Sequence, residues 1–116
     1  MRTMLGALLL FLVIFGAAVS AAAQQGSSVI GYGTAPCSAY VEAHDERGDE
    51  YFVFGAWIGG FITATGFRAA EFRSSLLNIQ MPDAQAWIAN YCRKKPRAFV
   101  VEAVEQYTFY LYKKYN

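Results

Sequence analysis

The apolar positions of this chain follow two different rules. Leu5 to Val19 is an unbroken apolar run, whereas beyond residue 33 apolar side chains recur every three or four positions, the spacing of one helix face. Thr34 reads as an N-cap and Pro36 as a first-turn residue of a first helix, in which Cys37, Tyr40, Val41 and His44 keep helical spacing up to a stop near Gly48. Cys37 then lies on its buried face. A second helix is predicted over Asp49 to Gly66: Asp49 and Glu50 suit its N-terminus, and Tyr51, Phe54, Ile58, Phe61, Ile62 and Thr65 hold a helical period. Gly55, Gly59 and Gly60, with Ala56, Thr63 and Ala64, line the other side. Interior glycine costs about 1 kcal/mol against alanine, and close approach of another helix is the reading that accounts for several of them.

Arg68 to Gln80 mixes charge with Phe72, Leu76 and Leu77 and reads equally as a turn of helix or an ordered loop. A third helix is marked by Pro82 at its start, Asp83 in its first turn and an apolar stripe of Ala84, Trp87, Ile88 and Tyr91 that carries Cys92 with it. Arg93, Lys94 and Lys95 complement the dipole at its end, and Pro96 stops it. In a fourth helix Phe99, Val100, Ala103, Val104, Tyr107 and Leu111 share one buried face, with Glu102 and Glu105 beside or opposite it. The aromatic and basic tail, Tyr110 to Asn116, is expected to fray.

The first apolar run has a different meaning. Arg2 gives a short positive leader, and Ser20-Ala21-Ala22-Ala23 offers the small-x-small site of a signal peptidase, with Ala21 and Ala23 at its critical positions. Residues 1–23 therefore read as a signal peptide, with the mature chain starting at Gln24. An uncleaved anchor over Met4 to Ala23 is the competing reading, because about 20 apolar residues cross a bilayer. The small-residue end and the lack of a basic stop-transfer flank favour cleavage. Gln24 to Gly33 is polar and glycine-rich, a flexible lead-in, and residues 34–116 form a single domain. A transmembrane reading of the second helix, suggested by the GxxxG at Gly55 and Gly59, fails on the shortness of the uncharged run Val53 to Phe67. No membrane association is expected after cleavage.

Charge narrows the partners. Without Arg2 the chain carries nine Lys and Arg against nine Asp and Glu. A near-neutral protein lacks the basic face that phosphate contacts require, so nucleic acid is not expected as a partner. Full carboxylate protonation would leave +9, or +10 with His44, and self-repulsion would then loosen the compact form.

Two cysteines, Cys37 and Cys92, follow the export signal. In an oxidising compartment two cysteines in a small domain usually pair, and loop-closure entropy assigns a bridge of this span about 4 kcal/mol. Two free buried thiols are the other reading. A catalytic thiol would need the single histidine, His44, as its base. The cluster Glu42, His44, Asp45, Glu46, Asp49 and Glu50 matches no calcium loop or zinc pattern and reads as a solvated helix end and turn. Neither a phosphate-cradling glycine loop nor a nucleophile elbow is present. The chain reads as a non-enzyme with no catalytic, cofactor-binding or metal site. Trp57 and Trp87 fall on predicted buried stripes. Tyr107, Tyr110, Tyr112 and Tyr115 are harder to bury together, and their exposed fraction is the candidate protein-binding surface.

Three motifs carry a family likeness: Cys37-x-x-Tyr40, Trp57-Ile58-Gly59-Gly60-Phe61, and Trp87-x-x-x-Tyr91-Cys92-x-x-x-Pro96 followed by Ala103-Val104. Together they resemble the small periplasmic acid-stress chaperones of the HdeA/HdeB family over most of the mature chain. The middle and end also look similar to the immunity proteins that neutralise peptidoglycan amidases delivered by type VI secretion. The resemblance implies an all-helical fold with Cys37 and Cys92 as the family's disulfide. For the chaperones it implies homodimers that loosen at low pH and hold unfolding clients through apolar surface. This chain has fewer charged residues and more aromatics and glycine than that pattern. The expectation is therefore an all-α protein, a small and roughly orthogonal four-helix bundle with one disulfide, exported to the periplasm or beyond, that binds protein partners: unfolding clients or, alternatively, a toxin.

Overall fold

The structure, a computed structural model, describes residues 29–116; the signal peptide and the lead-in before residue 29 lie outside the described residues. A 3-10 turn, Gly31–Thr34, precedes five α-helices: α1 (Cys37–Glu46), α2 (Asp49–Arg68), α3 (Ala70–Leu76), α4 (Met81–Lys94) and α5 (Val100–Tyr115). The fold is a small all-α bundle closed by one disulfide. It has five helices where the sequence pattern gives four, because the ambiguous stretch 68–80 contains α3. Gly66 explains how so short a helix folds back: a side chain there would run into Leu76, so glycine is what lets α3 lie against α2.

The start of α1 is fixed from outside the helix. Its first backbone N–H groups have no partner within the helix, and the linker between α4 and α5 supplies two: Cys37 N–H donates to the Ala98 carbonyl (2.8 Å) and Ser38 N–H to that of Pro96 (3.1 Å). Val100 N–H returns the contact by donating to Ala35 (2.9 Å). Pro36 is the N-cap residue. Thr34 belongs to the preceding turn and donates its hydroxyl to the Gly31 carbonyl at 2.8 Å, so it does not cap α1 as its residue type suggests. Arg47 closes α1 in the left-handed region, φ 56°, with its guanidinium 4.5 Å from the centre of the Tyr51 ring.

The core gathers one side of every long helix. Cys37 and Tyr40 of α1, Phe54 and Ile58 of α2, Ile88 and Cys92 of α4, and Val100 and Val104 of α5 are all buried in it. One polar chain crosses this core. The fully buried Tyr40 hydroxyl donates to the Gln85 carbonyl (3.0 Å), and the Gln85 carboxamide donates to the Tyr51 carbonyl (3.2 Å). The carboxamide fits because residue 55 is glycine: a Cβ there would stand 2.9 Å from its nitrogen. Burial pushes the Tyr40 hydroxyl far up from its usual pKa, which keeps it a neutral donor.

Two ends differ from their expected behaviour. Phe99 is not on the buried stripe of the last helix but is its N-cap residue, half exposed, and its N–H donates to the Glu102 carboxylate at 2.6 Å. The tail continues the last helix: α5 runs to Tyr115, and the Asn116 side chain donates to Ser75 of α3 at 3.3 Å. The described end of the lead-in is held too, since the Trp57 indole N–H donates to the Ile30 carbonyl at 2.9 Å and its ring covers Gly33.

Candidate functional site

Cys37 opens α1 and Cys92 lies in the last turn of α4; both are fully buried, their Cα atoms are 4.8 Å apart, and they form the disulfide. The bridge closes a separation of 55 residues. Near it runs the one carboxylate ion pair of the described residues that involves an arginine or lysine: Asp45 of α1 accepts two hydrogen bonds from Arg93 of α4, at 2.6 and 2.9 Å. The Arg93 hydrogen bond holds the Asp45 carboxyl at a pKa of about 2, below the usual carboxylate range. His44, next in sequence, is buried against the rings of Tyr40 and Tyr51. The acidic cluster is thus divided among a cross-helix pair, a Tyr32 hydroxyl that donates to Glu50 at 3.4 Å, and exposed carboxylates at Glu42, Glu46 and Asp49. Among the described residues no three such side chains converge on a metal-sized space.

The four C-terminal tyrosines do not form one surface. Tyr107 is buried, and desolvation pushes its hydroxyl up to about 12. Tyr110 stacks on Trp87 at 5.4 Å, and Trp87 in turn stacks on Tyr91 at 6.1 Å. Lys95 caps this row over Tyr91 (5.2 Å) and Lys114 caps it over Tyr110 (5.7 Å). Tyr115 sits beneath the same Lys114 ammonium, and Tyr112 leaves the row to pack on Phe72 of α3 at 5.1 Å. The surface that results is a ladder, Tyr91–Trp87–Tyr110, drawn from two helices. Its i, i+4 member on α4 was legible in the sequence; the partner across the helix pair was not.

Two further apolar features lie outside the predicted tyrosine surface. A cleft of about 270 Å³ opens between α2 and the segment joining α3 to α4, lined by Gly59, Ile62, Thr63, Leu76, Ile79 and Met81. The outward face of α2 is the other. Phe52, Val53, Ala56, Gly60, Thr63, Ala64 and Phe67 are all exposed along it. Close approach within the chain explains Gly55 under Gln85; at Gly60 a Cβ would meet nothing within 4 Å. Among the described residues no helix is long and apolar enough to cross a membrane.

No protein-family model, no curated protein and no solved structure matches this chain.

Proposed function

We propose that this is an exported, non-enzymatic protein of the periplasm that holds partner proteins through exposed apolar surface, in the manner of the HdeA/HdeB acid-stress chaperones it resembles. The observation that carries this reading is the amount of large apolar surface left in water by so small a bundle. Phe52, Phe67, Leu77, Phe99 and Phe109 are each more than half exposed. Exposed apolar patches of this kind mark protein-interaction sites.

Acid gives the surface a way to enlarge without losing the chain's connectivity. The Asp45 carboxyl is depressed in the fold, so the Asp45–Arg93 pair contributes its full stabilisation above the ordinary aspartate pKa of 3.8 and loses it as pH falls through about 2. With every carboxylate neutralised, the Lys, Arg and His44 charges of the exported chain would leave a net charge of +10, and self-repulsion would add to the loosening. The disulfide does not titrate, and it keeps the start of α1 on the end of α4 while the helices loosen. The test is light scattering from an acid-denaturing client enzyme with and without the protein, at about pH 2.5 and at pH 7. Suppression in acid supports the reading; equal aggregation with and without the protein at low pH overturns it.

A second reading, an immunity protein against an amidase delivered by type VI secretion, draws on the Tyr91–Trp87–Tyr110 ladder. Stacked, preordered aromatics lose little entropy on binding and suit one tight partner. A stable complex with a single secreted amidase at neutral pH is its signature.

A further inference from the structure

We propose that the cleft between α2 and the segment joining α3 to α4 binds the tail of a free, single-chain fatty acid of about ten carbons. The site is separate from the apolar surface offered to partner proteins, and the proposal does not rest on that reading. One turn of α2, with Gly59, Ile62 and Thr63, makes one wall of the cleft; Leu76, Ile79 and Met81 make the other. Two glycines shape it. Gly66 lets Leu76 press against α2. At Gly59 a Cβ would stand 3.8 Å from Met81, an ordinary contact, so packing does not require glycine there although glycine is a poor helix former. What the missing side chain does is keep the floor of the cleft open.

The lining says what enters. It contains no Asp, Glu, Lys or Arg, and its one hydroxyl, on Thr63, already donates to the Gly59 carbonyl at 2.7 Å. A well-held water makes about two to four hydrogen bonds to polar groups, so water in this cleft is weakly held and hydrocarbon displaces it favourably. Size sets the length. An apolar cavity of about 150 Å³ takes benzene, with its six carbons; in proportion a cleft of about 270 Å³ takes about ten. Two walls open to solvent on one side suit a chain lying along them with its head group in water. Met81 brings a flexible thioether that adjusts to such a chain.

The surroundings continue the same chemistry. Leu77 and Phe67 are 84% and 80% exposed, more than any other large apolar side chain among the described residues except Ile30. Leu77 follows the lining residue Leu76, and Phe67 lies one turn beyond Thr63 on the same side of α2. Apolar surface therefore runs on from the cleft, which favours an extended chain over a compact ring. Cations stand at the same places. Arg68 follows Phe67 and Arg73 lies one turn before Leu76; both are exposed and, among the described residues, neither is in an ion pair. Glu71 is the one acidic side chain between them, so the net charge there is positive and suits a carboxylate head.

The experiment is a titration of the oxidised chain from Gln24 onward with hexanoate, octanoate, decanoate and dodecanoate at neutral pH, followed by methyl NMR. Met81 is the single methionine of that chain, so its methyl signal reports the cleft without ambiguity. Saturable shifts are expected, with affinity rising about fourfold for each added methylene up to decanoate and levelling off at dodecanoate. Gly59→Leu, which fills the floor, should abolish the shift without lowering the melting temperature, and Thr63→Phe should do the same from the rim. Phe109→Ser, on α5 and outside the lining, should leave the affinity unchanged. No Met81 shift by about 5 mM decanoate overturns the proposal, the ligand-efficiency bound being well within that reach. So does an affinity still rising at dodecanoate, or a Phe109→Ser loss as large as that of Gly59→Leu. Flotation with phosphatidylcholine vesicles in the absence of a decanoate shift would assign the cleft to membrane lipid and overturn the free acid.

Discussion

Breaking the Cys37–Cys92 bridge removes the covalent tie between the start of α1 and the end of α4. For a loop of 55 residues, loop-closure entropy gives about 4 kcal/mol lost on reduction. A domain of this size holds roughly 4–13 kcal/mol in total, at 0.05–0.15 kcal/mol per residue. The bridge thus supplies from a third to nearly all of the net stability. Both cysteines are fully buried in the core, so in a Cys37→Ala, Cys92→Ala double variant the packing lost with the two sulfur atoms adds to the entropic loss. With a urea dependence of about 1–2 kcal/mol per molar, the unfolding midpoint should fall by about 2–4 M, and the dependence itself should steepen because the unfolded chain is no longer looped. Urea titration followed by tryptophan fluorescence and by far-ultraviolet circular dichroism measures both. A fall of less than about 0.5 M would refute the assignment of the bridge as the principal staple of the bundle.

Gly55→Ala should destabilise by about 1–2 kcal/mol despite the better helix propensity of alanine, because the new methyl displaces the Gln85 carboxamide from the Tyr51 carbonyl; thermal melting reads it, and a stabilised variant would contradict the packing described. Asp45→Asn should leave the fold intact while removing part of the stability change between about pH 4 and pH 2, since the depressed Asp45 pKa is what places that change there. Melting temperatures across that range, for the two proteins side by side, decide it: identical slopes would mean that the Asp45–Arg93 pair contributes nothing to acid sensitivity. Tyr40→Phe should cost about 1 kcal/mol, the usual worth of one buried hydrogen bond, and a variant as stable as the parent would show the Gln85 contact to be incidental.

The helices that carry buried stripes were legible because burial writes itself into the sequence at helical spacing. Tyr40, Ile58, Ile88 and Val104 all sit where the period puts them. α3 was not legible: a seven-residue helix shows too few turns for a period, and what holds it is Gly66 on another helix making room for Leu76. Phe99 misled because the helical period includes it although α5 begins one residue later, after a Glu102 side chain has taken up its N–H. Gln85 was invisible as a core residue, since a polar side chain is buried only where a partner such as the Tyr51 carbonyl awaits it. The tyrosines illustrate the same limit. Their number signalled surplus aromatic surface, but the division among core, ladder and the Phe72 contact depends on which helices are neighbours.

The claim that the exposed apolar surface holds partner proteins is tested most directly by photo-crosslinking. A photoreactive residue at Phe109, which is 54% exposed, and one at the exposed Gln106 are compared in acid with a denaturing client. Crosslinks concentrated at Phe109, abundant at about pH 2.5 and sparse at pH 7, are the predicted result. Equal yields at the two positions, or no client crosslinks in acid from either, would contradict it.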